Sequence, residues 1–532
     1  MLRISGIRAG LEEDTTEYLR AAAAKALHVP PGRIAALTIA KKSVDARKKH
    51  DVHFVYSVDV TLTDGSDKIP PHADKARVRV VQPAGFTLRT AKRKPQNRPV
   101  VCGFGPAGMF CALLLARAGL APIVLERGGD VDSRAAAVEA FFDGGALDTE
   151  SNVQFGEGGA GTFSDGKLTC GVSDARLSFI LSEFVRFGAP EDILYMAKPH
   201  IGTDVLRRVV KHMRMEIVEQ GGEVRFHTKL CGIEKTNGAL SALRCETPEG
   251  AEELPCDTLI LAIGHSARDT FAMLHEAGLS MEQKPFSMGV RIEHLQKRID
   301  RAQYGKFAGH AALGAADYKL SHRLADGRGV YTFCMCPGGR VVAAASEPGL
   351  LVTNGMSDRA RDGANANSAL LCDVRPADFG STNPLAGVEF QRRWERAAFV
   401  AGGGNYQAPV NLVGAFLEDK IAANFGEVAP TYRPGTAFAD LRTCLPDFIC
   451  AGLKEGIHQF GRRLAGFDSY DAVLTGVETR SSSPVRFYRG ETYESNVAGV
   501  YPCGEGAGYA GGIMSAALDG IRVACAVIEK NQ

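Results

Sequence analysis

Neither sign of charge is in surplus: 62 Lys and Arg face 61 Asp and Glu in 532 residues, a formal net charge of +1. That balance removes the broad positive field on which nucleic-acid or anionic-lipid binding draws, and leaves only local patches for such work. Long hydrophobic runs are missing too. No uncharged apolar stretch reaches the ~18 residues of a membrane-spanning candidate, and the most apolar windows, 108–125 and 256–264, contain Arg117 and Asp257. The opening MLRISGIRAGLEED carries charges and no apolar run, so no secretory signal is expected. Thirteen cysteines form no CxxC pair and no zinc-like spacing. They are expected as reduced thiols of a cytoplasmic protein without a metal site.

What remains is a composition of packed globular proteins, 45% hydrophobic and 23% charged. A single core stops growing near ~250 to 300 residues, so several domains are expected. Residues 1–88 read as a small module. Val52, Phe54, Tyr56, Val58, Val60 and Leu62 alternate with mostly polar neighbours, the period-2 pattern of a half-buried strand. TTEYLRAAAAKAL before it is a helix former ended by His28-Val29-Pro30-Pro31. Helix on antiparallel sheet suggests a ferredoxin-like α+β unit. Residues 89–98, basic and proline-containing, read as a linker, with a phosphate-binding patch as the alternative. The module is therefore expected to be separable.

From Pro99 the texture is α/β. Pro99-Val-Val-Cys-Gly103-Phe-Gly105-Pro-Ala-Gly108 gives a strand, a glycine turn and a helix, in that order. Gly103 permits the turn, Gly105 admits a pyrophosphate, Gly108 lets helix and strand pack, and Pro106 and Ala107 begin a helix whose N-terminus faces phosphates. A second strand ends in Glu126, where a carboxylate can accept from ribose hydroxyls and would repel a 2′-phosphate. Near the other end, a strand runs into Gly504-Glu505 and, after Gly512, a helix begins at Ile513. A glycine-acid pair after a late strand is what FAD folds use for the ribityl chain.

With Lys41–Arg47, the glycine segment Phe155–Lys167, the stretch Lys198–Asp204 and Gly476–Arg486, these motifs resemble a poorly characterised family of FAD-dependent dehydrogenases (NAD/FAD-utilising). That family lies within the two-dinucleotide-binding-domain, glutathione-reductase-like flavoproteins. The resemblance implies tightly held noncovalent FAD, with Arg127 beside the adenine and Arg134 beside the pyrophosphate. It puts Gly159, Gly161 and Thr162 on the flavin side, Leu230 at the adenine, and Gly264 at a strand closing on the cofactor. Glu505 stands where the group usually has Asp. The architecture so implied is α/β: a Rossmann-type FAD domain in two parts, 99–275 and 476–532, around an inserted α+β substrate or cap domain, 276–475.

Flavin carries out the electron transfer itself, so catalytic side chains are hard to read. Candidates are Asp165, Lys167, His200 and His265, with Glu478 and Arg480 beside them; for each, satisfying a backbone group is the more ordinary role. Cys334-Met-Cys336 invites a dithiol reading, yet in a strand the two Cα atoms would sit ~6.5 Å apart, near the upper limit for a disulfide, so burial side by side is expected. The CxxxxC of disulfide reductases is absent, as is a second strand-GxGxxG-helix for NAD(P)H. The reading is an FAD oxidoreductase acting on an unidentified small molecule, reduced by that substrate or by NAD(P)H. Alternatives are an FAD-dependent monooxygenase and an RNA-associated flavoprotein that uses the N-terminal module.

Overall fold

A computed structural model describes residues 1–82 and 85–532. The N-terminal module has strands Leu2–Ala9, Ile34–Asp45, His53–Leu62 and Val78–Val80, and one helix, Thr16–Leu27. In chain order the strands lie second, third, first, fourth, and every pairing is antiparallel. Alternation does what it should here: Phe54, Tyr56, Val58, Val60 and Leu62 are buried together with Leu19, Ala23 and Leu27 of the helix. A ferredoxin-like unit would carry a second helix before its last strand. Residues 63–77 form turns and loop instead.

The module is not set apart. Lys42 N–H donates to the Tyr195 carbonyl at 2.7 Å and Ala197 N–H to the Lys42 carbonyl at 2.8 Å, which adds a bridge to the edge of its sheet. Its apolar core is continuous with that of the cap. Residues 89–98 are no free linker either. Phe86, Leu88 and Ala91 pack on the α/β domain, Ala91 N–H donates to Ala118, and the Lys92 and Arg93 amides donate to Asn531. Arg98 donates to the Ala121 carbonyl and pairs with Glu223 at 2.8 Å. The basic composition that reads as a solvated linker is partly spent on holding this strap down.

The α/β domain is a parallel sheet in the order Val500–Pro502, Leu259–Leu261, Val100–Cys102, Ile123–Leu125, Glu223–Arg225. Its central strands are short apolar runs buried on both faces, as helices on either side require. Helices Pro106–Arg117 and Ile513–Lys530 cross closely because Gly520 carries no side chain; a Cβ there would meet the Ala107 carbonyl oxygen at 2.2 Å. A meander of three strands, Lys229–Thr236, Ala239–Thr247 and Gly250–Pro255, is appended.

The cap is built on a seven-stranded sheet: Ser321–Arg323, Gly329–Cys336, Asn365–Val374, Phe286–Leu295, Val473–Glu478, Ala408–Leu412, Thr436–Phe438. Val473–Glu478 lies inside this sheet, so a boundary at 475 cuts through a cap strand. The chain leaves the cap by pairing Val485–Phe487 with Met281–Gln283, and rejoins the parallel sheet only at Val500. The two bodies are clamped by Glu395 of the cap helix Ala386–Ala401. It is fully buried and accepts from Arg268 at 2.6 and 2.8 Å, and from Arg480 at 3.1 and 2.8 Å. Among the described residues no helix is long and apolar enough to cross a membrane.

Candidate functional site

A cavity of about 540 Å³ lies between the carboxyl ends of the parallel strands and the cap sheet. That is the usual place for a ligand in an open α/β sheet, and the volume is within the ~300 to 1,000 Å³ of ligand pockets. Gly103, Gly105, Pro106 and Ala107 line it after the first strand, Glu126 and Arg127 after the second, and Gly264 after Leu259–Leu261. Gly159 and Gly161 face them from the glycine segment, Leu230 lines one end, and Glu505, Gly512 and Ile513 close it.

The glycines divide the labour as their backbones dictate. Gly103 has φ +97, and a Cβ would meet the Ala262 carbonyl oxygen at 2.4 Å. Gly108 lies off the cavity; a Cβ there would sit 1.9 Å from the Gly103 oxygen, so its role is helix against turn. Gly105 opposes Gly159 almost Cα to Cα, since a Cβ on Gly159 would be 2.9 Å from the Gly105 Cα. The two bare backbones pack against each other at the cavity wall, and a side chain on either would project where a ligand approaches. Two helix N-termini reach this wall, capped by Gly105 and Gly512. Their first N–H groups have no partner within the helix and favour negative charge. The residues therefore fit a dinucleotide with its pyrophosphate at the glycine turn.

Glu126 is bound more fully than the sequence suggests. Its Oε2 accepts from Phe104 N–H at 2.9 Å, and its Oε1 from Gly128 and Gly156 N–H, each at 2.9 Å. The carboxylate has about four acceptor sites, so it fixes three loops and has about one site left. Arg127 stacks on Phe155 at 4.2 Å and is held by Glu150 and, in bidentate fashion, by Asp269. It offers a rigid planar wall. Glu505 accepts from Gly512 N–H at 3.3 Å, and burial pushes its carboxyl up to about 7.

Three further expected contacts lie outside the cavity. Arg134 is wholly buried behind the loop 152–157, where its guanidinium donates to the carbonyls of Asn152, Val153, Gly156 and Glu157. It braces that loop with four of its five N–H groups and does not line the cavity. Thr162 is buried, and its carbonyl accepts from Thr203 Oγ1 at 2.5 Å. Gly504 N–H donates to Asp519 at 2.7 Å, and Asp519 is held in turn by Arg489. Asp519 is a residue that sequence reasoning missed; its signal is a lone acid inside the apolar helix that starts at Ile513.

On the cap side, Asp165 and Lys167 both line the cavity, 3.0 Å apart. Asp165 also accepts from Arg361 Nε at 2.9 Å and from Ser357; burial would raise its pKa, but Lys167 and Arg361 outweigh that and bring it down to about 2. Arg361 is a second missed residue, and it carries no local signal. Lys167 donates to the Met335 carbonyl, and although burial opposes its charge, the ionised Asp165 beside it helps keep its pKa raised. His265 lines the cavity; burial and the nearby Arg480 and Arg268 drive it down to about 3, so it is neutral at neutral pH. His200 does not reach the cavity. It faces the Arg359 carbonyl at 3.3 Å, with its pKa lowered by burial to about 4.

Glu478 and Arg480 line the cavity as well. Burial lifts Glu478 to about 7 even though Arg291 donates to it at 3.0 Å. The dithiol segment departs from regular strand geometry. Register breaks between Phe333 and Cys336, and Cys334 has φ +42, a left-handed backbone that brings it to the cavity wall. Side-by-side burial thus describes Cys336 and not Cys334. Among the described residues no cluster of three or more His, Cys, Asp or Glu is placed to hold a metal.

Comparison with known proteins adds a family. Residues 285–481 match the model described as FAD-dependent protein, C-terminal domain-like, and residues 1–61 match a domain of unknown function. A protein of Clostridium beijerinckii described as uncharacterized is 49% identical over 535 residues, covering 99% of each chain. Among solved structures, a flavin-dependent brominase is 12% identical over 82% of this chain and 80% of that one, at a TM-score of 0.38. Glycerol-3-phosphate dehydrogenase from Bacillus halodurans, complexed with FAD, is 11% identical over 82% and 66%, at 0.35. A geranylgeranyl bacteriochlorophyll reductase-like protein of Thermoplasma acidophilum is 12% identical over 81% and 78%, at 0.36.

Proposed function

The chain belongs to a family of FAD-dependent proteins, and on that premise we propose that it is an oxidoreductase that holds FAD across the parallel sheet and turns over a small molecule under the cap sheet. One observation carries the reading: two helix N-termini and the facing pair Gly105 and Gly159 meet in the same cavity as the titratable side chains of the cap. FAD, when bound, supplies two-electron exchange.

The protein's part is binding, orientation and proton handling. In this reading the turn Gly103–Gly108 and the helix it opens hold the pyrophosphate, Glu126 takes a ribose hydroxyl with its remaining acceptor site, and Arg127 walls the adenine beside Leu230. Gly512 and Ile513 present the second helix N-terminus to the flavin, with Glu505 at the ribityl chain. Glu478 is the group suited to exchange a proton near neutral pH, because burial has moved its pKa to about 7. Asp165 stays ionised and keeps Lys167 directed at the cavity; neutral His265 offers a hydrogen bond without charge. The N-terminal module is read as an incomplete ferredoxin-like unit bracing the cap.

The experiment is to bleach the flavin absorbance anaerobically with a panel of reductants, NADH, NADPH and small alcohols, amines and hydroxy acids among them, and then to admit oxygen. Bleaching by one class with reoxidation and no oxygenated product supports the dehydrogenase reading. Oxygen incorporated into product would make the protein a monooxygenase.

A further inference from the structure

Cys334 and Cys336 are used by nothing described so far. Cys334 is half-buried at the cavity wall on a left-handed residue that interrupts the strand Gly329–Cys336. Cys336 is fully buried behind it, its Sγ–H donating to the Cys334 carbonyl oxygen at 3.3 Å. Two cations flank the pair. Lys167 donates to the carbonyl of the intervening Met335. Arg291, wholly buried, donates to the Cys334 carbonyl at 2.9 Å and lies 3.8 Å from Cys336 Sγ. The cavity-side thiol is thereby favoured as thiolate: the neighbouring Cys336 acts first, burial opposes it, and Lys167 and Arg291 add to lower the Cys334 pKa. Cys336 moves the other way. An accessible low-pKa thiol backed by a second, protonated one is the arrangement of an attacking and a resolving cysteine. Glu505, at the flavin end of the cavity, feels the charge on Cys334.

We propose that Cys334 and Cys336 are a redox-active dithiol that exchanges two electrons with the flavin bound in this cavity, an inference that rests on the FAD reading above. Oxidation removes the Cys336 proton, and the Cys334 proton where it is bound, and forms one Sγ–Sγ bond. The two electrons pass to oxidised flavin, which takes up a proton with them, and any remaining proton is taken up by Glu478 in the same cavity. Run in reverse, reduced flavin returns two electrons and the S–S bond opens to two thiols. No further oxidant or reductant is needed.

The test uses the full-length flavin-loaded protein. Samples reduced with dithiothreitol, or oxidised with diamide, are alkylated and digested, and the peptide holding residues 334–336 is weighed. We expect both labels in the reduced sample and loss of both together, with a mass two hydrogens lower, in the oxidised one; the exposed Cys231 reports on labelling efficiency in the reduced sample. Anaerobic titration with dithionite should then consume four electron equivalents per flavin, falling to two in Cys334→Ser and in Cys334→Ala. Full alkylation of both residues after diamide, or two equivalents in the wild type, overturns the proposal. Flavin content is measured on the same samples. Paired label loss in protein that carries no FAD would retain the thiol chemistry and sink the FAD reading instead, so the two failures are told apart.

Discussion

Gly105→Val separates the cofactor role of the glycine turn from its structural one. Gly105 has φ −82 and ψ −174, an extended conformation open to any residue. An added Cβ would meet only the Gly159 Cα, at 3.6 Å, an ordinary van der Waals contact. The protein itself should lose little more than helix-cap preference, about 1 kcal/mol or less. The branched methyls, however, project from the cavity wall at Gly105, where a pyrophosphate has to approach the backbone. We expect flavin affinity to fall at least tenfold, about 1.4 kcal/mol or more. The assay is the flavin-to-protein absorbance ratio of the purified variant, followed by titration of stripped protein with FAD, with circular dichroism as the check on folding. Gly108→Ala is the contrasting change: its Cβ would lie 1.9 Å from the Gly103 oxygen, so misfolding and not mere flavin loss is expected. A folded Gly105→Val protein with a full complement of FAD would refute the placement of the pyrophosphate.

Other consequences can be measured separately. Glu395→Gln leaves Arg268 and Arg480 buried beside a neutral partner; breaking such a group costs about 3 to 5 kcal/mol, and an unfolding free energy from denaturant titration within about 1 kcal/mol of wild type would count against the clamp. Burial alone would raise the Glu395 pKa, but the two arginines hold it far below the ordinary carboxylate range. Its contribution is therefore fully present above the unfolded value near ~4.3 and is lost as pH falls toward the folded one, so wild type and variant should converge in acid. Glu478→Gln should remove an inflection near pH 7 from the rate of flavin reduction, and an unchanged profile would exclude Glu478 as the proton carrier. Residues 89–532 expressed alone should be poorly soluble, because removing the module bares the apolar core it shares with the cap; a soluble, monodisperse product would show the contact to be dispensable.

What was legible in the sequence was local. The turn Gly103–Gly108, the helix after it and Glu126 are joined by short-range geometry, and a pattern of glycines at fixed offsets encodes it. The alternation from Val52 to Leu62 reported a strand for the same reason. Partners far apart in the chain left no such mark: Glu395 meets Arg268 across 127 residues and Arg361 meets Asp165 across 196. Arg134 was assigned by likeness to a phosphate contact, while the loop it braces could not be seen in one dimension. The basic strap after the module misled because composition reports solvation preference, whereas its apolar Phe86 and Leu88 and its backbone amides decide where it lies. Cys334 was misjudged because a left-handed residue inside a strand is invisible to periodicity.

The most direct measurement is the absorbance spectrum of the purified protein, followed by heat or acid release of the chromophore and its mass. We expect a flavin spectrum and about one FAD per chain, released without covalent bond cleavage. Recovery of FMN, or of NAD with no yellow chromophore, would contradict it.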